Sequence, residues 1–204
     1  MMAESLWDLS LQSALDQTAS AAPTPGGGSI GAVSASFGLG LVIMALEISA
    51  KQQPTAAAAI AQGRKLLDGL TAFVDRDVAV FQAYMDALRL PKATEAEQAA
   101  RDDARAAASL EAARTPLQAA EACLKALSFA HTSARHVHKH VWSDLLAGSD
   151  LLMGALKAVL RTVDINLPMV RDDAAREALN ERAAHLEHEA TQVYARISGL
   201  EPTS

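Results

Sequence analysis

PTPGGGSIGA, residues 23–32, leads into a small and apolar stretch that ends at Ala50 and carries one charge, Glu47. Pro23 and Pro25 exclude helix ahead of the run, and Gly26, Gly27 and Gly28 let the backbone approach a neighbour or a ligand closely. Residues 30–50 then read as a helix buried on most sides. A helix that opens out of three glycines presents bare N–H groups, suited to an anionic or carbonyl-bearing ligand. The segment therefore predicts a small-molecule site, with a purely structural helix start as the alternative.

Gly26, Gly28 and Gly31 also fit G-x-G-x-x-G, with Glu47 near the place of a ribose-binding acid. That fingerprint needs a preceding β-strand, and DQTASAAPTP cannot form a buried parallel strand. The dinucleotide reading is set aside on that context. A membrane span is also disfavoured, because Ser29, Ser34, Ser36, Glu47, Ser49 and several glycines interrupt the stretch and no aromatic belt or basic flank borders it.

The rest of the composition agrees with a helical core. The chain has 204 residues, half of them apolar, enough for one sizeable core, so residues 1–204 are expected to form a single helical domain. Alanine is abundant and aromatics are 4%, which favours closely packed helices over sheets. The net charge of −6 offers no electrostatic footprint for nucleic acid. The lone Cys123 excludes an internal disulfide framework and fits a reducing compartment. The acidic, amphipathic start lacks the pattern of a secretion signal, so a cytoplasmic location is expected.

Periodicity predicts six or seven helices and no strand. The first spans about Ser5 to Thr18, with Leu6, Leu9, Ala14 and Leu15 on its apolar side. A long helix starts near Pro54 and stops before Leu90-Pro91, with Leu66, Leu70, Phe73, Val74, Phe81, Met85 and Leu88 recurring at three and four. Thr94 and Glu97 form a capping-box pattern for a charged helix to about Arg114, which Pro116 breaks or kinks. A further helix opens near Ser143 and runs to about Val163, before the NLP break at 166–168. The last follows Asp172-Asp173 and ends at Gly199.

Two further segments carry candidate chemistry. Asp75 and Asp77 lie two apart, on different faces, so they are not expected to share a metal. Arg89 and Lys92 flank the Leu90-Pro91 break, either compensating the helix dipole or forming a cationic clamp for a carboxylate. Four of the six histidines, His131, His136, His138 and His140, cluster. On a helix His136 and His140 would share one face as a metal or acid/base pair, yet no cysteine or HExxH glutamate completes a metal signature.

TPGGGS at 24–29, VDRDVAVFQAYMDALRLPKAT from 74, TPLQAAEAC at 115–123, SDLLAG at 143–148 and DINLP at 164–168 occur in this order. Together they resemble the cyclodeaminase domain of formiminotransferase-cyclodeaminase and the related bacterial methenyltetrahydrofolate cyclohydrolases, over nearly the whole chain. The resemblance implies a dimeric, antiparallel bundle of long helices that binds a tetrahydrofolate one-carbon derivative, with the cleft at or near the subunit interface. It implies ring closure of 5-formiminotetrahydrofolate with loss of ammonia, or interconversion of the methenyl and 10-formyl forms. Both need proton transfer, with no cofactor beyond the folate substrate and no obligatory metal.

On that resemblance Asp144, in the Ser143-Asp144 pair, is the first candidate proton carrier, with helix capping as its alternative. Pro25, Gly26, Gly27, Gly28 and Ser29 would pack against the pterin or the glutamate tail, and Arg89 and Lys92 would attract folate carboxylates. The chain departs from the family where a Gly-Asn pair is usual, carrying Val137 and His138, and where an Asn precedes INL, carrying Thr162. His138 and His140 are accordingly candidate replacement catalytic residues. Three classes stay open: a folate enzyme, a folate-binding homologue without turnover, and a relative acting on another one-carbon carrier.

Overall fold

A computed structural model describes residues 5–51 and 56–202. Among them the chain forms six helices and no strand element: α1 (Leu11–Thr18), α2 (Gly27–Ala50), α3 (Ala57–Arg89), α4 (Glu95–Ser133), α5 (Trp142–Asn166) and α6 (Asp173–Ser198). Short 3-10 turns cover Leu6–Asp8, Ala134–His136, Lys139–Val141 and Leu167–Met169. The expected all-α bundle of long helices is the fold observed. The proposed start of the third helix near Pro54 lies outside the described residues.

α2 is the central helix, as its lack of charge requires. Leu39, Val42 and Leu46 are fully buried, and they join Leu145, Leu152, Leu156 and Val159 of α5 in one continuous core with α3, α4 and α6. α2 meets the length and apolarity of a membrane span, but 61% of that apolar window is buried inside this bundle. α2 and α5 run antiparallel: Gly27 lies beside Thr162, and at the other end the His138 N–H donates to Ser49 Oγ at 2.8 Å. Their backbones meet at mid-length, where a Cβ built on Gly38 would stand 2.8 Å from the Gly148 carbonyl oxygen. No larger residue fits that crossing without separating the helices.

Two boundaries differ from expectation. The first helix is broken, because Ser5 caps the Leu6–Asp8 turn and Ser10 caps α1 through the Ser13 N–H at 3.0 Å. Two serine caps in succession offer the backbone a local alternative to one continuous helix. No residue of α1 is buried, and Leu15 of its expected apolar side is exposed. The second difference is α4, which runs unbroken through Pro116. The carbonyl that a residue 116 N–H would have bonded belongs to Ala112, and Asn166 Nδ2 donates to it instead at 2.7 Å. The lost helix bond is replaced from another element. The Thr94–Glu97 capping box is present as read, with the Glu97 N–H donating to Thr94 Oγ1 at 3.2 Å. The helix opening near Ser143 starts at Trp142 and reaches Asn166, three residues past Val163.

Candidate functional site

The glycine run forms one wall of a cavity of about 240 Å³ between α2, α3, α4 and α5. Ile30 is the first residue of α2 whose N–H closes onto the preceding turn, at 3.0 Å from the Gly26 oxygen. The N–H groups of Gly27 and Gly28 thus open toward the cavity they line. Ser29, fully buried, stabilises the entry to the helix: its Oγ accepts from the Gly26 N–H at 3.1 Å.

α3 supplies Asp77, Val80, Phe81 and Tyr84, spaced three and four apart so that they share one face of the helix. Asp77 presses directly on the glycines. A Cβ on Gly28 would lie 2.6 Å from Asp77 Cγ, so glycine there makes room for the carboxyl. Burial raises the Asp77 pKa above the ordinary carboxylate value, while hydrogen bonds from the Ser29 N–H and hydroxyl pull it partly back. The site therefore holds an acid that is harder to ionise than a surface aspartate and has donors in place for its charged form. That combination suits a group that must take and give a proton.

α5 closes the third side with Thr162, Ile165 and Asn166, one turn apart at the helix end, and Met169 follows in the next turn. The Tyr84 hydroxyl donates to Met169 Sδ at 3.2 Å, tying α3 to that turn. Asn166 brings a side-chain amide to the cavity four residues after Thr162, the position at which the family pattern has an asparagine and this chain does not.

The sequence-derived candidates separate into three places. Gly26, Gly27 and Gly28 line the cavity; Ser29 sits behind it against Asp77; and Pro25, buried, lines a neighbouring cavity of about 730 Å³ with Asp75, Gln82 and the Leu6–Leu9 segment. Ser5 Oγ and the Leu6 N–H both donate to Asp75, at 2.5 and 2.9 Å, so the two aspartates face different partners as their spacing required. Arg89 and Lys92 lie about 18 Å or more along α3 and its exit from Asp77. Both are exposed, and Arg89 pairs with Asp86 at 3.2 Å.

Ser143 and Asp144 stand in the first turn of α5, roughly five turns and about 27 Å from Thr162. Within one chain they are at the opposite end of the bundle from the glycines. His138 and His140 are at that same end. His136 and His140 do not share a helical face, because they belong to separate 3-10 turns on either side of Val137. Instead the His138 and His140 rings stack with centroids 4.7 Å apart, and His138 Nδ1 accepts from the His140 N–H at 3.3 Å. Among the described residues no group of three or more His, Cys, Asp or Glu converges as a metal site.

Asp77, Tyr84 and Asn166 were not singled out from sequence for this site. The signal available for Asp77 and Tyr84 is the three-and-four spacing of 77, 80, 81 and 84, which puts them on one face of α3 with Val80 and Phe81. For Asn166 it was the proline one helix away, which no local pattern connects to it.

Comparison with known proteins covers most of the chain. The sequence model of a family described as formiminotransferase-cyclodeaminase matches residues 10–185. The methenyltetrahydrofolate cyclohydrolase of Methylorubrum extorquens is 33% identical over 178 residues, which is 84% of this chain and 86% of that protein. The formimidoyltransferase-cyclodeaminase of Gallus gallus is 30% identical over 182 residues, 86% of this chain but 34% of that longer protein. The crystal structure of formiminotetrahydrofolate cyclodeaminase from Thermotoga maritima has a TM-score of 0.82, covering 94% of this chain and 95% of that one, a likeness of fold at 23% identity.

Proposed function

Because the chain belongs to the formiminotransferase-cyclodeaminase family, we propose that it is a cytoplasmic enzyme of tetrahydrofolate one-carbon derivatives, a methenyltetrahydrofolate cyclohydrolase or a formiminotetrahydrofolate cyclodeaminase. The observation that carries the reading to specific atoms is Asp77, a partly desolvated carboxyl set against the glycine-opened start of α2 at the edge of a small cavity. In cyclohydrolysis, water adds to the methenyl carbon and gives its proton to the Asp77 carboxylate. The same proton goes to N5 as the carbon–N5 bond breaks, and the remaining hydroxyl loses its proton to solvent as the carbonyl of the 10-formyl compound forms. In ring closure, N10 attacks the formimino carbon, whose nitrogen enters already protonated by solvent; Asp77 takes the N10 proton and passes it to that NH2 group, which leaves as ammonia while the N10 lone pair forms the methenyl cation. Either route passes through a tetrahedral carbon whose substituents the Gly27 and Gly28 N–H groups can stabilise.

The proposal includes a homodimer, which an exposed face supports. Phe37, Met44 and Ile48 of α2 and Leu151 of α5 are exposed, and nothing stands within 4 Å of a Cβ on Gly40 or Gly154. A second copy is the occupant proposed for this face. Residues 131–143 hold Arg135, Lys139 and four histidines with no acid, so a twofold axis along the helices would stack two basic ends, and one across them is favoured. In that pairing Asp144, His138 and His140 of one copy stand at the cavity end of the other, where they retain a place in catalysis.

The test is the methenyl absorbance band with purified protein. Its appearance from the 5-formimino compound above the spontaneous rate marks a cyclodeaminase, and its accelerated loss marks a cyclohydrolase. A folded dimer that changes neither rate overturns the assignment.

A further inference from the structure

Pro116 and Asn166 form a pair that neither helix explains alone. A proline in the middle of a 39-residue helix removes one N–H and crowds the carbonyl four residues back, at a cost on the order of 3 kcal/mol in an ordinary helix. That carbonyl, on Ala112, faces the cavity side of α4, since Ala112 and Asn166 both line the 240 Å³ space. Asn166 Nδ2 donates to it at 2.7 Å. A carbonyl can only accept, so the contact fixes which way round the amide sits: the nitrogen faces Ala112 and Oδ1 is turned elsewhere. Among the described residues no donor bonds Oδ1.

We propose that Pro116 is a positioning residue that frees the Ala112 carbonyl to hold the Asn166 amide, so that Asn166 Oδ1 accepts an N–H from the ring edge of the bound ligand. The inference rests on the folate reading above and names how one end of that substrate is recognised. A cavity of about 240 Å³ is below the roughly 300 Å³ at which whole-ligand sites begin, so it takes a planar ring and leaves the remainder of the molecule outside. Asn166 offers both an acceptor and its second Nδ2 hydrogen, which together match a heterocycle carrying an N–H donor next to a carbonyl, and Asp77 stays available for the proton transfer. An ordinary residue at 116 would supply the helix N–H that competes for Ala112 and would release the amide to rotate.

The test uses the full chain, with 5-formyltetrahydrofolate as the calorimetric probe, turnover kinetics, and the side-chain amide exchange of Asn166 by NMR. Pro116→Ala is expected to weaken probe binding and raise KM about tenfold, the worth of one neutral hydrogen bond, with kcat within about twofold and the melting temperature unchanged or higher. Asn166→Ala should weaken binding by a similar factor, and the double variant should bind no worse than Asn166→Ala alone, because both changes remove one interaction. Asn166 amide exchange should accelerate in Pro116→Ala with no ligand present. Wild-type affinity in Pro116→Ala, or losses that multiply in the double variant, would overturn the proposal. A wild-type protein that binds no folate at all sinks the ligand assignment, while the exchange measurement, needing no ligand, separately decides whether Pro116 holds the amide.

Discussion

Asp77 combines two environments that oppose each other. Its burial between α2 and α3 favours the neutral acid, and the Ser29 donors favour the anion, with burial the larger. For stability the sign follows directly. A carboxyl whose folded pKa is raised binds its proton more tightly in the native state, so its contribution is fully present below the ordinary value near 3.8 and is lost as pH rises through the raised folded value. Asp77→Asn should therefore flatten the decline in melting temperature across that window. For activity, kcat/KM should rise with pH through a limb displaced above the usual carboxylate range, and Asp77→Asn should remove that limb and lower kcat by about 10²- to 10⁴-fold. A pH–rate profile of the two proteins checks both, and an unchanged limb in the variant would assign the proton transfer to another group.

Among the elements, the α2–α5 pair sets the geometry that everything else inherits. The crossing at Gly38 and Gly148 lets two backbones touch, with each glycine's missing Cβ facing the other's carbonyl. Because the obstacle is backbone, it cannot swing aside as a side chain would. Gly38→Ala is expected to destabilise by about 1–3 kcal/mol through overpacking, read as a shifted midpoint in urea unfolding. Gly40, with open space around its Cβ position, serves as the control: Gly40→Ala should be neutral or slightly stabilising in the monomer fold, since alanine is the better helix former. α4 makes the complementary point, since a helix survives an internal proline when another element meets the carbonyl it leaves open.

At the scale of the whole molecule, the bundle separates its chemistry into two ends about 27 Å apart along α5. One end holds the glycines, Asp77 and Asn166; the other holds Asp144 and the histidine turns. The exposed apolar face between them argues for a partner copy, since Phe37 and Leu151 are 51% and 41% exposed with no role in the core. Phe37→Glu with Leu151→Glu should give a folded monomer by light scattering with unchanged helical content. Under the proposed pairing, mixing an Asp77→Asn protein with an Asp144→Asn protein should restore part of the activity that each lacks alone, because one of the two sites in such a mixed dimer would be intact. Absence of any complementation would leave each cavity complete within its own chain.

The sequence by itself determined the elements whose cause is local. The central helix was legible in a stretch with a single charge, its start in PTPGGG, the α4 start in the Thr94–Glu97 box, and the α6 end in Gly199. The family segments carried the fold class as well. Tertiary structure decided what depends on partners distant in the chain. The break between Leu6–Asp8 and α1 came from competing serine caps, and the continuity of α4 through Pro116 came from an asparagine fifty residues away. The assignment of Asp77, rather than Asp144, to the glycines came from the antiparallel packing of α2 against α5. Periodicity fixes which face of a helix is apolar, but the register of one helix against another is set by side-chain volume and backbone contact, and that register chose which carboxyl meets the glycine run.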